Sequence, residues 1–345
     1  MENVKLSPAQ KFWKTVKSNP IVVLLVVIGI IVGFTKDNFF SWRNFGNLAS
    51  NTAVRFLIAL GVSGCLITKG TDLSAGRQVG FAACLAGVLL QRANYAGRLF
   101  PNMPEMNMGV VLLIVLAIGA VFGLLNGLII AFLNVPPFIA TLGTMFCARG
   151  VAYLANGNRN TDAIVTGLGK EAGDAFQNFF YYGKTLGIYN AFWIAFVIFA
   201  VVFFLMNKTR TGRHIYAIGS NVDAAKLSGI NVFATTTKAY LISAFCAAIV
   251  GLILAGQAGM GNMEAGNSYE MYGVAAGVIG GISPLGGSGL LLGAFAGAGV
   301  WQTLENGLGI IGAPVGIQRI VIGVIVTGAV LIDVVFRQGT KKVKK

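Results

Sequence analysis

Apolar residues in this chain come in long runs, and the charges fall between the runs rather than along one face of them. Charge at the centre of a bilayer is costly, so each uncharged run marks a candidate span. The first run, 20–34, follows Lys5, Lys11, Lys14 and Lys17. The TKDNFFSWR after it offers no small-x-small cleavage site, which predicts an uncleaved span rather than a signal peptide. Short runs lie between Arg55 and Lys69 and between Arg77 and Arg92. They flank the insert GTDLSAG (70–76) and read as two helices meeting at, or broken by, a polar turn. The run between Glu105 and Arg149 suffices for two spans, with Asn134, Pro136 and Pro137 as the turn, because a Pro-Pro pair cannot continue a helix. Further spans are predicted between Lys184 and Lys208 and between Lys238 and Glu264. Two shorter ones fall between Glu270 and Glu305, split at SPLGG (283–287), and the last covers about 316–336. The pattern predicts an all-α polytopic membrane protein of about ten helices, several short or broken. A basic segment (1–19) precedes one transmembrane domain (20–336), and a basic tail (337–345) follows it.

Composition agrees. Of 345 residues 55% are hydrophobic and 11% charged, with a mean hydropathy of +0.74, whereas soluble domains carry about 25% charged residues. A net charge of +14 would suit nucleic acid, but the basic residues sit between apolar runs and at both ends, the pattern of membrane topology. Lipid, not nucleic acid, is the implied surroundings. An even number of spans puts both termini on one side, together with the polar loop 207–237. That side holds about twice as many basic residues as the outer loops, and the positive-inside bias makes it cytoplasmic. Cys65, Cys84, Cys147 and Cys246 lie singly in apolar runs, without metal-ligand spacing, and read as small hydrophobes. A single histidine, His214, excludes a histidine relay or a multi-histidine metal site.

Between two long apolar segments lies the polar island NKTRTGRHIYAIGSNVDAAKLSGIN (207–231), with Lys208, Arg210, Arg213 and Lys226 against a single acid, Asp223. Ser220 with Asp223 three residues on reads as a capping box opening a helix of about eight residues. Lys226 suits its negative end, and Gly229 suits a left-handed closing position. So short a helix is marginal in water and needs something to dock on. Ala224 and Ala225 would allow close approach.

Other motifs weigh less. Glycines four apart (Gly119, Gly123 and Gly127; Gly277 and Gly281; Gly293 and Gly297) suit close helix packing, within the bundle more readily than between copies. Gly183-Lys184-Thr185 lacks the first glycine of a P-loop. Gly307-Leu-Gly309-Ile-Ile-Gly312 formally matches a dinucleotide fingerprint but follows no strand and falls in a loop between spans. The chain is therefore not expected to bind ATP itself. Few charges remain near the membrane interior: Asp72, Arg77, Arg149, Glu305 and Arg319. Asp72 and Arg77 are close enough in sequence to pair across the break, while the other three suit snorkelling at an interface. Ser74, Gln78, Asn126, Thr141 and Thr144 add polar groups to apolar helices, where sugar hydroxyls would need partners.

Four stretches, GTDLSAGRQVG (70–80), GLLNGLIIAFLNVPPFIATLGTM (123–145), 207–232 and GGISPLGG (280–287), resemble the membrane subunits of bacterial ABC monosaccharide importers of the ribose, xylose and galactose type. Asp-Ala-Ala-x-x-x-Gly (223–229) is similar to the family's Glu-Ala-Ala-x-x-x-Gly coupling helix, with Asp in place of Glu. The resemblance implies that Ser220, Asn221, Asp223, Ala224, Ala225 and Gly229 couple to a cytoplasmic ATPase with two fused nucleotide-binding halves, which binds ATP and Mg. It also implies an extracytoplasmic sugar-binding protein, a homodimeric permease in the bacterial cytoplasmic membrane, and no enzyme activity or cofactor in this chain. Asp72, Ser74, Arg77, Gln78, Asn126, Thr141 and Thr144 become candidates for the translocation pathway. Arg77-Gln78-Val79 resembles the galactose/methyl-galactoside type, which favours galactose, methyl galactoside or glucose. A ribose or xylose permease is the alternative, and a secondary transporter driven by an ion gradient a more distant one.

Overall fold

Helix α1 (Trp42–Ile67) begins where the Ser41 hydroxyl accepts the Asn44 amide at 3.2 Å. The same device opens α3 (Met108–Ala131) at Asn107 and α10 (Val232–Ala258) at Asn231. Each side-chain oxygen satisfies an amide that the helix leaves orphaned. The computed structural model describes residues 39–161 and 164–324, with 30, 33, 34, 327 and 328. The N-terminal lysines, most of the first predicted span, the end of the last one and the basic tail lie outside the described residues.

The remaining elements follow in order. They are α2 (Ala75–Leu89), α4 (Pro137–Ala155), α5 (Ile164–Leu168), α6 (Lys170–Gln177), a π-helical turn (Asn178–Tyr182), and an antiparallel hairpin of β1 (Lys184–Thr185) and β2 (Ile188–Tyr189). Then come α7 (Asn190–Lys208), α8 (Arg210–Ser220), α9 (Val222–Leu227), α11 (Tyr269–Ile279), α12 (Leu291–Ile311) and α13 (Val315–Val324). Among the described residues five helices are long and apolar enough to cross a membrane: α1, α3, α4, α7 and α10. The other predicted spans are the shorter or less apolar α2, α11, α12 and α13. The protein is an all-α polytopic membrane protein.

Burial divides the long helices into two kinds. In α1 and α10, 89% and 78% of the most apolar window is buried, against 28% in α3 and α4 and 22% in α7. The first two form the core, and the others cover it and turn Leu, Val and Phe outward, as lipid-facing helices do. Small residues make the contacts. A Cβ on Gly127 would lie 2.5 Å from Thr237 Oγ1, and one on Gly123 2.9 Å from the Leu241 Cα, so the face expected for helix packing joins α3 to α10 inside the chain.

Three readings need correction. Arg55 is no outer-loop residue: it lies in the middle of α1 and pairs with Glu305 of α12. The Gly307–Gly312 run is the last turn of α12 rather than a loop, and Gly312 closes it in the left-handed conformation, φ 83°. GTDLSAG and GGISPLGG recur in the two halves as polar, glycine-rich breaks, but GGISPLGG does not mirror GTDLSAG. It is the turn between α11 and α12, whereas the counterpart of GTDLSAG is the segment 259–268. A Cβ on Gly80 would sit 2.7 Å from the Ala265 carbonyl oxygen, one on Gly87 2.9 Å from the Gly261 amide, and Glu270 presses on Gly76. The non-helical segments 68–74 and 259–268 thus lead into half-length helices α2 and α11 whose N-termini meet inside the protein. Irregular backbone at this depth is tolerated where protein covers it.

Candidate functional site: a docking loop, a buried relay and an ionic cluster

At one end of the bundle the island 207–231 folds as two helices. The expected capping box is absent. Ser220 ends α8 and donates to the Tyr216 carbonyl at 2.9 Å, and Asn221 caps α9 by accepting the Ala224 amide at 3.0 Å. An amphipathic α8 carries the chain one residue further than the box requires, so the cap shifts and α9 has six residues. Gly229 is left-handed as expected, φ 76°. Ala225 is buried against the chain, while Ala224 faces outward and Leu227 is 91% exposed. Leu227 is the most exposed of the large hydrophobic side chains among the described residues, and sequence reasoning passed over it.

Through α8 this loop is fastened to the break before α2 and to the α11–α12 turn, and that turn bonds the end of α1. The Gly287 amide donates to the Ile67 carbonyl at 2.9 Å, Lys69 Nζ reaches the Ser220 carbonyl at 3.5 Å, and Tyr216 OH donates to the Gly289 carbonyl at 2.9 Å. Burial raises the Tyr216 phenol pKa, which keeps it a donor. The helix that leads into α9 is therefore held against the lead-in to α2 and the α11–α12 turn, and that turn against the end of α1.

Deeper in, five of the seven predicted pathway residues form one buried relay. Asp72 Oδ1 accepts the Ser74 amide at 3.0 Å and the Ser74 hydroxyl. Ser74 Oγ accepts Gln78 Nε2 at 2.7 Å and Asn126 Nδ2 at 2.9 Å, and Asn126 Oδ1 accepts the Thr144 hydroxyl at 2.6 Å. The relay ties α2, α3 and α4 together. Thr141 is buried beside it and bonds the Pro137 carbonyl at 2.8 Å.

Arg77 is not in the relay, and the suggested Asp72–Arg77 pair does not form. Asp72 belongs to the turn before α2 and bonds Ser74 there through Oδ1, while its buried Oδ2 has no hydrogen-bond partner and Arg77 turns to Glu264 instead. Arg77 Nη1 meets Glu264 Oε2 at 2.9 Å, and its Nη2 donates to Asn267 Oδ1 at 2.8 Å. Arg149 Nη2 and Tyr153 OH donate to Glu264 Oε1 at 3.0 and 3.1 Å. Arg149, expected to snorkel, is thus paired. So is Glu305, with Arg55, while Arg319 bonds the Tyr272 hydroxyl. Glu264 and Glu270 entered the sequence reading only as boundaries of runs. Two acids six residues apart, close after a 27-residue helix, were the available signal.

A hollow of about 240 Å³ between α1, α7 and α12 is lined by Ala53, Phe56, Phe192, Ala195, Phe196, Phe199, Leu292 and Phe295. It offers a sugar no hydrogen-bonding side chain, so the polar groups above are the better candidates.

The family described as "Branched-chain amino acid transport system / permease component" matches residues 44–331. The chain belongs to this family. It is 43% identical over 312 residues to the galactose/methyl galactoside import permease protein MglC of Escherichia coli K12, covering 90% of this chain and 92% of that protein. Identity to the protein of the same name in Haemophilus influenzae is 40% over 328 residues, 94% of this chain and 96% of that protein. To the ribose import permease protein RbsC of E. coli K12 it is 34% over 323 residues, 94% and 95%. No solved structure matches the chain. The matched region includes all four stretches that carried the resemblance, which therefore holds along the chain.

Proposed function

We propose that this chain is the membrane permease of an ATP-driven importer and passes galactose, methyl galactoside or glucose across a bacterial cytoplasmic membrane. The observation that carries the reading is α9: a capped helix that presents Ala224 and Leu227 outward and is hydrogen-bonded, through α8, to the break at 68–74 and to the α11–α12 turn. A separate cytoplasmic ATPase with two fused nucleotide-binding halves docks there and hydrolyses ATP, and this chain makes and breaks no bond in the sugar. Two copies form the path, a sugar-binding protein delivers from outside, and both termini lie on the side of α9. The higher identity to galactose/methyl galactoside permeases favours a hexose over ribose.

The test is labelled uptake in a strain without other routes for these sugars, supplied with the permease, its ATPase and its binding protein. Galactose uptake is expected to follow ATP and to survive an uncoupler. Ribose uptake without galactose or glucose would overturn the substrate, and dependence on the ion gradient would overturn the importer. Leu227→Asp and Ala224→Trp are expected to cut uptake at least tenfold and to lose the ATPase on purification, because a buried apolar anchor contributes on the order of 2 kcal/mol. Full co-purification of the ATPase with both variants would move the docking surface elsewhere.

A further inference from the structure

The cluster around Glu264 lies at a depth where exposed charge needs an explanation. Helix α10, with 27 residues, is about 40 Å long, and the hydrocarbon layer is about 30 Å thick. A Cβ on Gly251 would lie 2.6 Å from the Val79 carbonyl oxygen, so Val79 is level with Gly251. Gly251 is about 9 Å from the midpoint of α10, and Arg77 sits slightly nearer the middle. With the midpoint of α10 set at the bilayer midplane, the cluster lies inside the hydrocarbon depth. The Arg149 and Glu264 side chains are nonetheless 40% and 44% exposed. Lipid would not tolerate that exposure, so this face meets water in a path.

The hydrogen-bond inventory shows what such a face can take. Glu264 Oε1 accepts from Arg149 and Tyr153, and Oε2 accepts from Arg77 alone. A carboxylate offers about four acceptor positions, so one remains on Oε2. Arg149 uses only Nη2, and Asn267 uses only its oxygen, which leaves N–H donors on both. Donors and an acceptor side by side suit vicinal hydroxyls, each of which donates and accepts. The formal charges balance in number: Arg77 and Arg149 both pair with Glu264, and Arg77 is also within electrostatic reach of Glu270, whose carboxylate lies against Gly76. A neutral polyhydroxylated ligand fits that balance better than an anion.

We infer that Arg149, Glu264 and Asn267, with Arg77 holding Glu264 in place, form a binding station for a neutral monosaccharide inside the permease itself. The station rests on the importer reading and deepens it, since it gives the permease its own contact with the sugar after release. A merely structural role, an ionic latch holding 259–268 to α2 and α4, makes a different prediction: it needs no ligand.

The experiment uses the purified permease–ATPase complex without the binding protein and reads saturation-transfer NMR on D-galactose. A galactose signal that D-galactose 6-phosphate does not compete away is expected. Glu264→Gln and Asn267→Ala are each expected to weaken it roughly tenfold, the typical effect of losing one charge-assisted or well-placed hydrogen bond. Asn267→Ala leaves the Arg77–Glu264 and Arg149–Glu264 pairs intact, so it separates ligand contact from latching. An unchanged signal in Asn267→Ala and Glu264→Gln, or no galactose signal in the parent complex, would overturn the station. Uptake by the parent with its binding protein decides separately whether the importer reading stands. Galactose uptake without the signal sinks the station alone.

Discussion

Gly219→Ala is expected to abolish uptake while the chain still inserts. Gly219 is buried in the last turn of α8, and a Cβ there would collide with the Ile67 carbonyl and lie 2.5 Å from the Gly287 amide. Both obstacles are backbone, so neither can rotate away. The methyl would also part the Gly287–Ile67 hydrogen bond that ties the α11–α12 turn to the end of α1. Overpacking and one lost hydrogen bond together come to roughly 2–4 kcal/mol. The cost falls on the junction through which α9 reaches the membrane helices, so coupling should fail before folding does. Gly229→Ala is the control. Nothing lies within 4 Å of a Cβ there, and only the left-handed backbone, φ 76°, opposes it. That costs about 1–2 kcal/mol in an exposed turn. Uptake and thermal unfolding of the purified protein would be compared at equal expression. If Gly229→Ala is as damaging as Gly219→Ala, the three-way junction is not the coupling element.

Asp72→Ala is expected to produce the second severe loss, by undoing the start of α2. Asp72 Oδ1 holds both the amide and the hydroxyl of Ser74. The Ser74 hydroxyl, so oriented, receives Gln78 and Asn126. All four residues are buried, so water cannot replace the missing acceptor without a cavity to hold it. Leaving one or two buried donors unsatisfied costs about 2–5 kcal/mol. Asp72→Asn keeps an oxygen in the acceptor position and should retain part of both stability and uptake. The order expected in melting temperature and in uptake is parent, then Asn, then Ala. An alanine variant that melts and transports like the parent would show that the relay is dispensable.

The sequence was informative about the break at 70–76 and poor about its mate. GTDLSAG announces itself by an acid and two glycines between apolar runs, and it does lead into a short helix. Its true counterpart, 259–268, holds Gly259, Gly261 and Gly266 with Glu264. It was merged into the preceding run because nothing local distinguishes a re-entrant segment from an ordinary loop. Likewise Arg55 and Arg149 interrupt apolar runs and read as loop or interface residues. Their partners, Glu305 and Glu264, are 250 and 115 positions away, and spacing along one chain cannot reveal pairs so remote.

What the sequence determined by itself is what depends on neighbouring residues. Long uncharged runs require helices in lipid, because only in a helix does a single segment satisfy its own backbone there. Pro136 and Pro137 end a helix wherever they occur. Gly229 closes α9, and Asp72 and Ser74 sit at a turn that their own side chains can bond. Tertiary structure decided everything that depends on which face of a helix looks inward. It made α1 and α10 the core and left α3, α4 and α7 to the lipid, although the most apolar helix of all, α3, lies outside. In a bilayer hydrophobicity no longer separates inside from outside, so small residues and polar contacts choose the interfaces. For that reason Gln78 turned into the relay while Arg77, one residue before it, turned out to Glu264.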